Sequence, residues 1–279
     1  MPHLVRLTLP TLLAAHAVLL TGGAIVMLPL VWMILTSIRA PDEVFSAGMS
    51  LLPGTFYAAQ NYSYALREAP LLRYMANGAI VCAAILAIQL VVAIPAAYAL
   101  AKLSFRAKPA LFALVLLGLT IPIQVPAIPL YIALSSLGLL NTYFALVFPF
   151  MLSLFAIFLF RQFIRSFPDE VIHAARIDGF TEIEIVLRLL VPALKPAIAA
   201  FAVFSVTAHW NDLYWPLIVT TSPEHATPPL GMLQFRDAET GSNYGALMAG
   251  AAIVTAPLVA AFLLAQRQFI QGITMTGLK

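Results

Sequence analysis

The stretch "RQFIRSFPDEVIHAARIDGFTEIEIVLRLLVPALK", residues 161–195, is a charged island in a chain of 279 residues that is 62% hydrophobic and only 10% charged. Its local grammar reads as two helices. Ser166 followed by Asp169 has capping-box spacing, and Pro168 suits a first helical turn. "DEVIHAARID" then predicts about three turns with Val171, Ala174 and Ala175 on one stripe, and Gly179 follows as a left-handed terminator. Thr181 and Glu184 make a second capping box, opening a helix that runs to about Val191, where Pro192 ends or kinks it.

Outward from the island the chain is almost free of charge, far below the roughly 25% of soluble domains. No Asp, Glu, Lys or Arg occurs at 7–38, 74–101, 109–160 or 240–266, runs of 32, 28, 52 and 27 residues. A helix needs about 20 apolar residues to cross the hydrocarbon core, because in lipid its backbone must be satisfied internally. The 52-residue run therefore holds two spans. They part at "SSLGLLNT", 135–142, where Ser135, Ser136, Gly138 and Asn141 supply turn chemistry. A further span is interrupted only by His209 and Asp212.

The expected fold is an all-α integral membrane protein, a single transmembrane domain over 1–279. It has six transmembrane helices, at 12–37, 74–100, 110–132, 142–160, 197–219 and 244–266, and a cytoplasmic two-helix loop at 161–196 between helices 4 and 5. The first apolar run, at 32 residues, exceeds a signal-peptide core of about 7–15 and reads as a retained helix. With the N-terminus inside, the inner segments hold Arg6, Lys102, Arg106, Lys108, Arg161, Arg165, Arg176, Arg188, Lys195, Arg267 and Lys279, which is 11 of the 15 basic residues. Arg39, Arg67, Arg73 and Arg236 remain outside, so both termini are expected to face the cytoplasm. The net charge of +3 reflects this topology, and no basic, aromatic-interleaved patch suggests nucleic acid.

Within the spans, Pro122, Pro126 and Pro129 predict a kinked or broken third helix, either a pore-lining element or a static bend. Ionisable groups at membrane depth are read as facing a cavity or a partner. Span five offers His209, Trp210, Asn211 and Asp212 in "AHWNDLYWP". His209 and Asp212 share a helical face, where a mutual hydrogen bond would satisfy both. Trp210, Tyr214 and Trp215 form an aromatic belt, and Pro216 disrupts the helix beside them. The cluster is either facing a polar solute or gate-forming near the outer end, or a structural interface anchor. Asn77, Gln89, Gln124 and Gln162 are weaker pathway candidates, since single amides in spans often join helices at about 1 kcal/mol.

Catalytic and metal sites are not expected: His3, His16, His173, His209 and His225 lie in separate segments, without an H-x-x-x-H pair. The single cysteine, Cys82, lies within span two and excludes an intrachain disulfide. No G-x-x-x-x-G-K-[ST] phosphate loop occurs, so any ATP is expected to be bound by another chain.

The island's spacing resembles the cytoplasmic coupling loop of ABC importer permeases, whose pattern is E-A-A, three residues, Gly, nine residues, then I-x-L-P. Ala174, Ala175, Gly179 and Pro192 match, Leu189 and Val191 are conservative exchanges, and His173 replaces the leading Glu. "PLYIALSSLGLLNTYFALVFPF", "HWNDLYWPLIVTT" and "QRQFIQGITMTGLK" look like the carbohydrate-importer branch, the maltose or glycerol-3-phosphate type, so the resemblance spans most of 50–279.

That resemblance implies a permease of the bacterial inner membrane, forming half of the pathway for a sugar or sugar-like solute. Its partners would be a second, unlike permease subunit, two ATPase subunits that bind ATP and Mg, and an extracytoplasmic solute-binding protein. Residues 169–180, with His173, Ala174, Ala175, Asp178 and Gly179, and Pro192 beyond them, would couple to the ATPase groove, and "GITMTGLK", 272–279, resembles a tail that reaches between the ATPase subunits. A polyol phosphate is an alternative cargo. From another class, a self-contained secondary transporter is the rival reading, although Asp212 is the only acid within an expected span. Without the resemblance, the island is equally an interfacial loop lying on lipid headgroups.

Overall fold

Long charge-free runs become long helices where the backbone ladder meets at most one internal proline, as at Pro29, Pro95 and Pro257. The computed structural model describes residues 9–44, 52–235 and 243–274, and no strand occurs among them. Arg6, Arg236 and the last five residues of the tail, 275–279, lie outside the described residues. Three helices are long and apolar enough to cross a membrane: α1 (Leu9–Ser37), α3 (Leu71–Lys102) and the last helix, α14 (Tyr244–Thr274), as far as Leu264. Between α1 and α3 lies α2 (Ala58–Glu68).

The remaining expected spans are bent or broken. The third, expected as 110–132, divides into α4 (Lys108–Gly118) and α5 (Ala127–Ser136), each too short to cross alone. Pro122 and Pro126 have no N–H to continue the ladder, so 119–126 closes on short turn bonds, such as Thr120 N–H to Leu117 O at 3.0 Å and Val125 N–H to Pro122 O at 3.0 Å. The turn at 135–142 forms with Gly138 at φ +66° and Asn141 at +58°, a conformation that Asn tolerates better than most residues. The Asn141 side chain accepts from Thr221 N at 3.2 Å and Ser222 N at 3.1 Å.

The fourth span is α6 (Tyr143–Val147), a 3-10 turn to Phe150, then α7 (Leu154–Arg165), bent by 46°. The island follows as α8 (Asp169–Ile177), α9 (Glu182–Glu184), a π-helical stretch Ile185–Leu190, and α10 (Val191–Ala193). It meets α11 (Lys195–Trp210) at 79°. Then come α12 (Tyr214–Val219) and α13 (Pro228–Gly231). By length and composition there are three crossing helices, or five if each bent pair counts once, so six is reached only by joining α4 to α5.

The chain separates into two units, Met1–Ala69 with Gln234–Thr255, and Pro70–Leu233 with Ala256–Lys279. In the first, buried Asn61 donates to Ser37 O at 3.0 Å and Arg39 O at 2.8 Å, and a Cβ on Gly245 would lie only 2.5 Å from its amide nitrogen. In the second, α3 is the central helix, packed most extensively on α7 and then on α11. One apolar cluster gathers Tyr98, Phe160, Ile164, Ile185 and Phe201; another surrounds Trp215 with Val81, Ile85, Leu146 and Val219.

Candidate functional site

The island is a self-capped pair of helices. Its second cap forms as expected: Thr181 Oγ1 accepts from Glu184 N at 3.3 Å while the Glu184 carboxylate accepts from Thr181 N at 3.0 Å. The first does not. Ser166 instead closes α7, donating to Phe163 O at 2.7 Å, and Pro168 precedes α8 without a side-chain cap. Asp169 is thereby released to pair with Lys102 at 2.6 Å. Gly179 sits at φ +86°, and Phe180 N–H returns to Ala175 O at 3.0 Å, the 6→1 bond of a Schellman end.

Pro192 does not end the second helix. The preceding π turn carries Val191 N–H back to Val186 O, and the wider ring of the ladder takes in the proline; the break comes two residues later, at Leu194. The expected small-residue stripe also divides: Ala175 turns inward with Ile172, while Ala174, Val171 and His173 are exposed. A helix advancing 100° per residue cannot keep adjacent alanines on one narrow face.

Long-range polar contacts fasten the island to the C-terminal end of α3. Lys102 Nζ donates to Phe167 O at 2.6 Å as well as pairing with Asp169. Arg176 meets Glu182 through Nε at 2.8 Å and Nη2 at 3.2 Å, and Tyr98 OH at 3.2 Å; Tyr98 in turn donates to Glu182. Hydrogen bonds from Lys102 and its charge hold the Asp169 carboxyl below the usual carboxylate range. Those from Arg176 and then Tyr98 do the same for Glu182, and the Thr181 backbone does so for Glu184.

The island also exposes large apolar side chains: Ile177 at 87% and Ile183 at 71%, together with Val171 and Leu187. Sequence reasoning missed Ile177, Ile183 and Leu187 as surface residues, whereas Val171 was already expected on the outward stripe. The available signal was that "TEIEIVLRLL" is apolar at more positions than one buried face requires. Lys102, Tyr98 and Glu182 were also missed as anchors, and no local pattern marks contacts across 67 to 84 residues of chain.

Of the pathway candidates, Gln124, His209, Asn211 and Asp212 converge on one cleft of about 450 Å³, with Phe150 and Tyr214. It opens where the fifth span breaks at 211–213, upstream of Pro216, which is accommodated in the first turn of α12, where its missing N–H is not needed. His209 and Asp212 are joined only through the backbone, Asp212 N–H to His209 O at 3.4 Å, and their side chains do not pair. The His209 ring lies 4.5 Å from the Phe150 ring, and the Asp212 carboxylate accepts from Trp215 N at 3.4 Å.

Gln89 braces this arrangement: it donates to Phe150 O at 2.9 Å, accepts from Ser205 Oγ at 2.7 Å and comes within 3.5 Å of His209 Nε2. Trp210 and Asn77 are not part of the cleft lining. Trp210 is buried, and Asn77 donates to Glu224 O and Ala226 O, both at 2.9 Å, and accepts from Tyr143 OH at 2.6 Å. Trp215 is buried too, its Nε1 donating to Ala145 O at 2.8 Å, so of the expected aromatic belt only Tyr214 is exposed. Among the described residues no group of three or more His, Cys, Asp or Glu side chains is arranged to hold a metal ion.

Residues 89–275 match the family described as binding-protein-dependent transport system inner membrane component. The chain is 34% identical to the arabinooligosaccharides transport system permease protein AraQ of Halalkalibacterium halodurans, over 91% of this chain and 92% of that one. It is 34% identical to the sn-glycerol-3-phosphate transport system permease protein UgpE of Rhizobium meliloti, over 95% and 96%. It is 27% identical to the diacetylchitobiose uptake system permease protein NgcG of Streptomyces coelicolor, over 93% and 86%. The fold is shared with a chain of a bacterial ABC transporter involved in the import of alginate, at a TM-score of 0.79 and 20% identity, covering 92% of this chain and 95% of that one.

Proposed function

The chain belongs to the inner membrane components of binding-protein-dependent transport systems, and on that premise we propose that it forms half of the pathway of an ATP-driven importer for a sugar or sugar-like solute. A second permease subunit would complete the pathway, two ATPase subunits would bind ATP and Mg, and a binding protein would deliver the solute. Counting α4 with α5 as one broken crossing makes six spans and leaves the island and both termini on the cytoplasmic side, in keeping with the distribution of basic residues.

The observation that carries the reading is the island itself: two short helices locked to each other and to α3, with an apolar rim facing outward. A rigid, exposed lever of this kind suits docking in a groove of an ATPase subunit, where Ala174, Asp178 and Gly179 would lie at the contact and His173 would meet a partner group different from one that suits a Glu. Pro192 would lie inside the unit, which ends two residues later at Leu194 and bends there into α11. The family membership favours this over a self-contained secondary transporter.

The test is reconstitution in liposomes of the chain with its partner permease, ATPase and binding protein, followed by ATP hydrolysis and solute uptake. Gly179→Asp is expected to leave the chain in the membrane, reduce co-purifying ATPase and bring uptake to background. Full uptake by that variant, or uptake by the chain alone without ATP, would overturn the reading.

A further inference from the structure

The cleft at the break of the fifth span indicates which of the two cargo chemistries among the relatives it fits. Among the described residues lining it there is no Lys or Arg. Its one residue with a formal charge is Asp212, placed as an acceptor. Within the charge-free runs of the neighbouring spans, 74–101 and 109–160, no cation is available to reach it. A phosphate group is recognised by cations or by clustered backbone N–H groups, and a carboxylate in the same recess repels it.

What the cleft does offer is hydroxyl chemistry. Gln124 and Asn211 bring side-chain amides, His209 a ring nitrogen, and Asp212 a carboxylate that accepts strongly from O–H donors. Phe150 and Tyr214 supply flat apolar faces, and Gln89 holds the Phe150 backbone and approaches His209. Mixed polar groups beside aromatic faces in a recess of about 450 Å³ match a sugar ring, which carries hydroxyls on its rim and C–H groups on its face.

We propose that this cleft is a solute contact site selective for neutral, polyhydroxylated cargo of the oligosaccharide kind and against phosphate-bearing polyols. The proposal rests on the permease reading above and assigns this chain a direct part in handling the cargo.

Ala208 lines the cleft and is exposed, whereas Cys82, the chain's only cysteine, is buried. Maleimide labelling of the Ala208→Cys variant, in the assembled complex in nanodiscs, therefore reports occupancy. The probes are arabinotriose, diacetylchitobiose and glycerol-3-phosphate at matched concentrations. One neutral oligosaccharide is expected to slow labelling severalfold and glycerol-3-phosphate to leave it unchanged. Asp212→Asn is expected to raise the sugar concentration needed by roughly tenfold, the scale of one charge-assisted hydrogen bond.

Protection by glycerol-3-phosphate equal to that of the sugars would overturn the proposal. So would an absence of protection by whichever probe the complex imports. In that second case ATP-driven uptake, and its loss in Gly179→Asp, would still stand, so failure of the cleft is distinguishable from failure of the permease reading.

Discussion

At Gly179 a Cβ would meet nothing within 4 Å, so the demand for glycine there is conformational, set by φ +86° rather than by crowding. That is why the position was legible from sequence: the requirement is local. Asn77 is the contrary case, since its place in an apolar run is compatible with a pathway role or with a structural one. The structure pairs each of its polar atoms, and the two carbonyls it serves, Glu224 O and Ala226 O, lie 147 and 149 residues away in sequence. Asn77→Leu would leave those acceptors and the Tyr143 hydroxyl without their partner. Each buried loss costs about 1–3 kcal/mol. The expected result is a clearly lowered thermal midpoint of the detergent-purified chain, with Asn77→Ala behaving alike; an unchanged midpoint would mean that water replaces the amide.

At the scale of elements, α3 is the one long helix that lies wholly within its unit, continuous through Pro95. It carries Asn77 near its start, Gln89 in the middle and Tyr98 and Lys102 near its end. On the proposed reading, movement of the island would act on this helix, with Tyr98, Arg176 and Glu182 as the joint. Because Arg176 and Glu182 are partly exposed, their ion pair contributes modestly to stability, and its larger effect is geometric. Arg176→Ala with Tyr98→Phe is expected to lower solute moved per ATP hydrolysed while the complex still assembles. Arg176→Lys should recover part of that ratio, since it restores charge but not the two-pronged geometry. An unaltered ratio in the double variant would show that the joint transmits nothing.

Two element-level expectations depart from the structure for reasons of the same kind. Ser166–Asp169 has the spacing of a capping box, yet Asp169 is drawn to Lys102, a cation 67 residues earlier in the chain. A charge-assisted bond from Lys102 outweighs a cap worth about 1 kcal/mol. Pro192 was expected to end or kink its helix; the π turn ahead of it accommodates the ring, and the 79° bend comes two residues later, at Leu194. Neither outcome follows from the nearest few residues.

For the whole molecule, the anchored island makes a pH prediction. Asp169, Glu182 and Glu184 are all held below the usual carboxylate range in the folded state. Their contribution is therefore complete above the ordinary carboxylate pKa of about 4 and is lost as pH falls through the lowered folded values. A nitroxide on Ala174→Cys should show steady mobility from neutral pH down to about 5 and increased mobility in stronger acid, as the contacts to Lys102 and Arg176 are neutralised. Mobility that rises already near neutral pH would point to groups other than these carboxylates.

By itself the sequence determined the solvent the chain folds in, the approximate placing of its helices and the two-helix character of the island. Those properties depend on composition along a window and on caps and turns a few residues wide, such as Thr181 with Glu184 and Gly179. Only the tertiary structure decided where helices break, which face of the island is buried, and which polar groups meet. Gln124 and His209 come to one cleft while Asn77 is drawn to the 224–226 loop, because a side chain's partner is set by which helices pack together, a property that no stretch of the chain carries alone.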